Sequence, residues 1–484
     1  KIRQSLSHET SWQHIGDNPQ ADVLTARQED IAAEEFPDAR LTRYERSARG
    51  KEKFAPLWRS QLAGAMRLAR LANPETDARQ RAIWESGTQI VGPLLLGFVL
   101  WCLEEARARG LRRLYFVARD GQILHQLAQS IARTRKLDVE CRYLYGSRQA
   151  WHPAAIERFT PDDFEWVLPR TKRLTIDQIF RRLGLEPHDF ADLLADAGFP
   201  AATWDQPLDR SPQELAGLML EPRLVAAIEG QARVRRILAL EYLTQEGLLE
   251  DVPFAIVDIG WYGNLQKSLA RLLSLSIRPA GTKLTGFYFG LHQMYKFNDE
   301  QTLVGYMNQD QPLLSHFKKQ SPIIFELFTA ADHGSVLGYQ EKNGQIEPVL
   351  AAQQNQRALD WGLATLQAAI RQFTTCWLGN MPAADRSLDD YRRVSYQLFR
   401  AFYDQPSIEE AKSWGSFPFS EEQVEQTFQQ IVPDWSAWET VRAIADHHRR
   451  PAGWWAEGTQ AVRPNLLLWL YLRWRRLRSA RLAS

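Results

Sequence analysis

Two short apolar runs, each emptying into a turn with an acid and a glycine that then feeds a helix, constrain this chain more than any other feature. Arg113 to Ala118 reads Arg-Leu-Tyr-Phe-Val-Ala and passes into Arg119-Asp120-Gly121. Apolar residues then recur at 123, 124, 127, 128 and 131, which predicts a helix over 122–133. Asp138 to Tyr145 returns as a strand and ends in Gly146-Ser147-Arg148. Farther on, Pro253 to Val257 closes on Asp258 and turns through Ile259-Gly260-Trp261-Tyr262-Gly263-Asn264. A helix over 265–273 and a strand over 283–289 follow. Parallel strands need such helical crossovers. The predicted fold class is therefore α/β: a Rossmann-like parallel sheet core with a helical insertion and a helical C-terminal region.

A length of 484 residues allows about three domains. The pattern divides as an N-terminal segment 1–45, a first α/β unit 46–158 and a helical insertion 159–250. A second α/β unit 251–345 and a helical region 346–484 complete it. Lys and Arg (59) nearly cancel Asp and Glu (58), so no global positive field exists to hold nucleic acid, and no nucleic-acid partner is expected. Three cysteines, Cys102, Cys141 and Cys376, form no CxxC and suit a reducing, cytoplasmic setting. Ile90 to Leu103 is uncharged and apolar, but its 14 residues fall short of the roughly 20 that span a bilayer. A buried core helix is expected there. The first residue is Lys1 rather than Met, which suggests a piece of a longer protein.

In a parallel sheet, ligands bind outside the carboxyl ends of strands, where turns open helices. Asp120 and Asp258 both sit at such ends. The glycines Gly121, Gly260 and Gly263 let backbone approach a ligand, and each helix N-terminus attracts phosphate. Arg119 and Arg148 end two strands of one unit, where guanidinium groups can clamp a diphosphate. Together they predict a site for a phosphorylated, hydroxyl-bearing substrate, which Mg²⁺ could join. Taken singly, Arg119-Asp120 is more readily a helix cap than a functional pair. His333 and Ser335 follow a run containing Glu326 and could add an imidazole and a hydroxyl, although a satisfied core or loop histidine is the commoner case. No Walker loop, GxGxxG, HExxH or GxSxG is present. Residues 466–482 carry five arginines and no acid, which reads either as a basic helix lying on an anionic membrane face or as a docked terminal helix.

The segment His14-Ile15-Gly16-Asp17-Asn18-Pro19-Gln20-Ala21-Asp22-Val23 resembles the last motif of haloacid-dehalogenase (HAD) phosphatases, whose acids hold Mg²⁺. Asp17 and Asp22 occupy those positions. The nucleophilic DxDx(T/V) strand end of that family is missing, so 1–45 reads as a remnant without phosphatase activity. The remainder resembles the second domain of bacterial HAD-containing polysaccharide-biosynthesis proteins. The resemblance rests on GPLLLGF (92–98), YFVARDG (115–121), YLYGSRQA (143–150), VDIGWYGNLQ (257–266) and ELFTAADHGSVLGY (326–339). Some such two-domain proteins are ribofuranosyltransferases that move phosphoribose from phosphoribosyl diphosphate to a glycan.

That resemblance implies Asp258 on ribose hydroxyls, the 260–264 backbone, including Tyr262 and Asn264, around the 5-phosphate, and Arg119 on the leaving diphosphate. The family's paired acids are here Asp258-Ile259, and Trp261-Tyr262 replaces its small threonine-rich turn. An aromatic there could stack on the acceptor sugar. The implied reaction is inverting transfer from a phosphorylated sugar donor to a glycan or lipid-linked glycan acceptor. Asp120 and Asp258 are the expected catalytic acids, acting at the inner face of the cytoplasmic membrane. Two alternatives stay open: a transferase using a sugar nucleotide, and a non-catalytic module that docks a HAD phosphatase or glycosyltransferase partner.

Overall fold

The structure, a computed structural model, describes residues 11–50, 55–168, 174–208, 212–276, 283–292, 301–317, 322–380, 387–419, 429–445 and 453–481. The chain forms two compact units: 1–97 with 365–413, and 98–364 with 414–484. Each unit is assembled from two separate stretches of the sequence.

The second unit is mixed α/β around one five-stranded parallel sheet. Its strands are β1 (Arg113–Val117), β2 (Glu140–Leu144), β3 (Phe254–Asp258), β4 (Leu284–Tyr288) and β5 (Gln301–Gly305). They lie side by side as β2-β1-β3-β4-β5, every neighbouring pair parallel. That 2-1-3-4-5 order is one of the common doubly wound orders, and its winding reverses between β1 and β3. Register there is Tyr115 opposite Ile256 and Phe116 opposite Val257. All five residues of β1 and of β3 are buried, as strands covered on both faces must be.

The covering helices explain that burial. On one face Tyr115, Val117, Phe254 and Ile256 share an apolar cluster with two helices. These are α3 (Pro222–Gln245), through Ala239 and Leu243, and α4 (Asn264–Ser274), through Leu269 and Leu272. On the other face lie α2 (Gly121–Arg135) and the Phe98–Ala108 half of α1 (Gly92–Ala108). His125 meets the Phe116 ring at 5.8 Å and Trp101 meets Phe287 at 5.5 Å. The apolar stretch in α1 lies in a continuous helical run, Ala78–Ala108, whose apolar window is wholly buried.

The insertion has its own core, in which Phe180, Leu183, Leu194 and Leu215 close on Leu224 and Ile228 of α3. The 24-residue α3 thus serves the insertion with one half and the sheet with the other. An antiparallel hairpin, β6 (Val336–Lys342) with β7 (Gln345–Leu350), packs beside α3. Tyr339 stacks on Tyr242 at 4.5 Å, and the Gln245 side chain donates through Nε2 to the Ile346 carbonyl and accepts the Ile346 N–H at Oε1. The hairpin sets the position of Ser335. Much of the Trp complement is core: Trp151, Trp377, Trp414 and Trp455 are fully buried.

In the first unit, two parallel strands, Gln13–Gly16 and Ala32–Glu35, flank the turn that carries Asp17 and Asp22. A buried ion pair between Arg70 and Glu45 (2.8 Å) anchors helix Arg43–Arg49, whose Thr42 and Glu45 form a capping box.

Candidate functional site

Because all five strands run the same way, the turns after β1 and β3 emerge at one edge of the sheet, side by side. They border a cavity of about 400 Å³ that lies wholly within the second unit.

The first turn is tight. A Cβ on Gly121 would stand 2.6 Å from the Phe116 carbonyl carbon, so only glycine allows α2 to start so close to the strand. Asp120 occupies the N-cap position of α2, yet its side chain makes no cap bond. Its Oδ1 instead accepts the Thr329 hydroxyl at 3.0 Å. The Asp120 carboxylate therefore lines the cavity and does not cap the helix.

In the second turn Asp258, the last residue of β3, accepts the Ile259 N–H at 2.9 Å. Gly260 has φ +140°, and a Cβ there would lie 2.2 Å from the Gly290 carbonyl oxygen. Gly263 at φ +73° starts α4. Trp261 is buried in an aromatic cluster with Phe317 and Phe325, and its Nε1 donates to Glu326 Oε1 at 2.9 Å. Tyr262, by contrast, is 45% exposed.

A third wall comes from α5 (Pro322–Phe328), which brings Glu326, and from Ala330, Ala331, Ser335 and Val336 beyond it. Ser147 donates to the Val336 carbonyl at 2.5 Å and accepts the Ala150 N–H at 3.0 Å, placing Arg148 on the rim. Phe417, Pro418 and Phe419 complete an apolar side.

Burial and a neighbouring acid raise both carboxyl groups. Burial pushes the Asp258 carboxyl up to about 8, helped by the negative charge of Asp120 and opposed by the Ile259 N–H and Arg148. Burial also raises Asp120, to about 6, with Glu326 adding to the rise while Arg119, Thr329 and Arg148 oppose it. At neutral pH the pair therefore holds about one proton. Two carboxyl groups with separated titrations beside two guanidinium groups can donate a hydrogen bond, accept a proton and hold an anion at once.

Of the residues expected from sequence, Arg119, Asp120, Arg148, Asp258, Gly260, Trp261, Tyr262, Gly263, Asn264 and Ser335 line the cavity. Gly121 shapes the turn from behind. His333 is buried outside the lining: its Nδ1 donates to the Gly334 carbonyl at 2.8 Å, and in the neutral ring Nε2 accepts the Tyr143 hydroxyl at 2.8 Å. It is the satisfied histidine of the two readings. Asp17 and Asp22 belong to the other unit. Asp22 accepts the Asn18 N–H at 2.9 Å and lies 3.4 Å from His14, contacts that hold its carboxyl below the usual range. Glu326, which lines the cavity, and Thr329, which bonds Asp120, are positions that sequence did not assign. An acid inside the apolar run Ile323-Ile324-Phe325-Glu326-Leu327-Phe328 was the available signal for the first.

No family model matches this chain, and no curated protein matches it either. Among the described residues, no three His, Cys, Asp or Glu side chains gather as a ready cation site.

Proposed function

We propose that this chain is a cytoplasmic glycosyltransferase of surface-polysaccharide biosynthesis, built on a Rossmann-like sheet of the kind found in HAD-containing polysaccharide-biosynthesis proteins. Its donor is phosphoribosyl diphosphate and its acceptor a glycan hydroxyl. The observation that carries the reading is the meeting of Asp120, Asp258, Arg119 and Arg148 around one cavity at the reversal point of the sheet.

Each group has a task in that reading. Arg119 and Arg148 hold the diphosphate and stabilise it as it leaves. Asp258, neutral at pH 7, gives a hydrogen bond to the ribose hydroxyls without repelling the donor's phosphates. Asp120 is charged at that pH and takes the acceptor's proton. The bond from acceptor oxygen to C1 forms while the C1–diphosphate bond breaks, its electron pair leaving with the diphosphate. Attack opposite the leaving group turns an α donor into a β-furanoside.

Mg²⁺ fits without a protein cage, because it binds through one or two carboxylates and completes its shell with substrate phosphates and water. Glu326 is the cavity acid that would hold it. Bound there, it would add charge neutralisation at the diphosphate.

The test is transfer of labelled phosphoribose to a glycan acceptor by the full chain. We expect turnover, and expect Arg148→Ala to raise the donor KM by about 10–100-fold, since a lost charge-assisted hydrogen bond costs ~1.5–3 kcal/mol. Transfer from a sugar nucleotide but not from phosphoribosyl diphosphate would overturn the donor assignment. Failure to bind either class would leave a docking module instead.

A further inference from the structure

The last helix of the described residues, α7 (Leu466–Arg481), is apolar around its first two turns, yet of its described side chains, 466–474, it buries one side alone. Before it comes α6 (Ala437–Ala445), against which α7 packs. Leu468 and Leu472 close on Ala456, Trp435 and Tyr471. On the open side, Leu466, Leu470 and Trp474 recur every fourth residue, Leu466 71% and Trp474 53% exposed, with Trp469 beside them. In α6, Trp438 is 61% exposed and Val441 also faces solvent. Two of these tryptophans carry a guanidinium over the ring: Arg442 lies 5.3 Å from the Trp438 centroid and Arg473 5.2 Å from that of Trp469.

We infer that this two-helix face binds the surface of an anionic membrane, with Trp and Leu side chains at the headgroup boundary and arginines on lipid phosphates. Charge selects the occupant. Arg473, Arg475, Arg476, Arg478 and Arg481 follow one another without an acid between 466 and 484. A second copy of this chain would set those charges against their own kind, and protein interfaces are depleted of charge at their core. Helices that lie in the membrane plane pair an arginine-rich side with Trp and Leu, and indole rings favour headgroup depth. This inference does not depend on the cavity's chemistry.

The experiment is cosedimentation of the full chain with vesicles of phosphatidylcholine, alone or mixed with phosphatidylglycerol. Binding is expected to the mixed vesicles alone and to fall as salt rises. Trp469→Glu with Trp474→Glu should weaken it at least about tenfold with no change in melting temperature, both side chains being exposed. Arg473→Gln, Arg475→Gln and Arg476→Gln should each cost about fivefold. Equal binding to both vesicle types, binding to neither, or indifference to these changes would overturn the inference. So would a concentration-dependent dimer that the double tryptophan variant dissolves, since that would assign the face to a second copy.

Discussion

Asp120→Asn is expected to lower transfer by about 10²–10⁴-fold while the protein folds and becomes more stable at alkaline pH. Loss of activity follows from removing the only group in the reading that takes the acceptor's proton. The stability gain follows from the direction of its titration. Burial raises the folded carboxyl from 3.8 to about 6, so the folded state binds more protons than the unfolded chain between those values. Stability is then full below pH 3.8 and falls as pH rises through about 6. Once ionised, the group costs on the order of 3 kcal/mol, a cost that asparagine lacks while it still accepts the Thr329 hydroxyl. Urea melts at pH 5 and pH 8 read the difference: the variant should gain at pH 8 and match the native protein more closely at pH 5.

The same pair predicts the pH profile of transfer. kcat/KM should rise through about pH 6 as Asp120 ionises and fall near pH 8 as Asp258 does, because a second anion then faces the donor's phosphates. Asp258→Asn should remove the alkaline limb. A profile flat from pH 5 to pH 9 would contradict the pairing of these roles.

Gly260→Ala is the second large effect. At φ +140° an L side chain is strained, and its Cβ would meet a backbone oxygen at 2.2 Å, which no rotamer change relieves. We expect destabilisation of about 2–6 kcal/mol and loss of donor binding, since the turn that follows β3 must shift. Gly344→Ala is the matched comparison. It has φ +76° in the hairpin turn, with open space around the added Cβ. A cost of about 1–2 kcal/mol with activity retained is expected there. Equal effects at the two sites, measured by melting and by transfer, would remove the structural role given to Gly260.

The central strands were legible because strands buried on both faces read as unbroken apolar runs, as Leu114 to Val117 and Phe254 to Val257 do. Their glycine turns were legible for the same local reason. What no local pattern carries is that β1 and β3, separated by more than a hundred residues and a helical insertion, lie side by side. That pairing brings Asp120 to Asp258, and it arises from packing rather than propensity. β5 was harder to read because it is an edge strand and mostly half-buried, with fewer apolar residues to mark it. The β6–β7 hairpin had a readable signal that went unused. Asn343-Gly344, both with positive φ, is the turn that two-residue hairpins favour. Glu326 reaches the cavity only because Trp261 and the α5 helix fold against each other, which spacing alone does not encode.

Binding of the donor tests the central claim most directly, ahead of any assay of chemistry. Calorimetry and thermal melting of the whole protein with phosphoribosyl diphosphate and Mg²⁺ should give saturable binding, with about 2.7 kcal/mol of stabilisation at a hundred times the Kd. That gain should shrink sharply in Arg148→Ala and remain in His333→Gln. Should the compound leave the melt unmoved, or bind Arg148→Ala as well as the native chain, the cavity between β1 and β3 is not a diphosphate-sugar site.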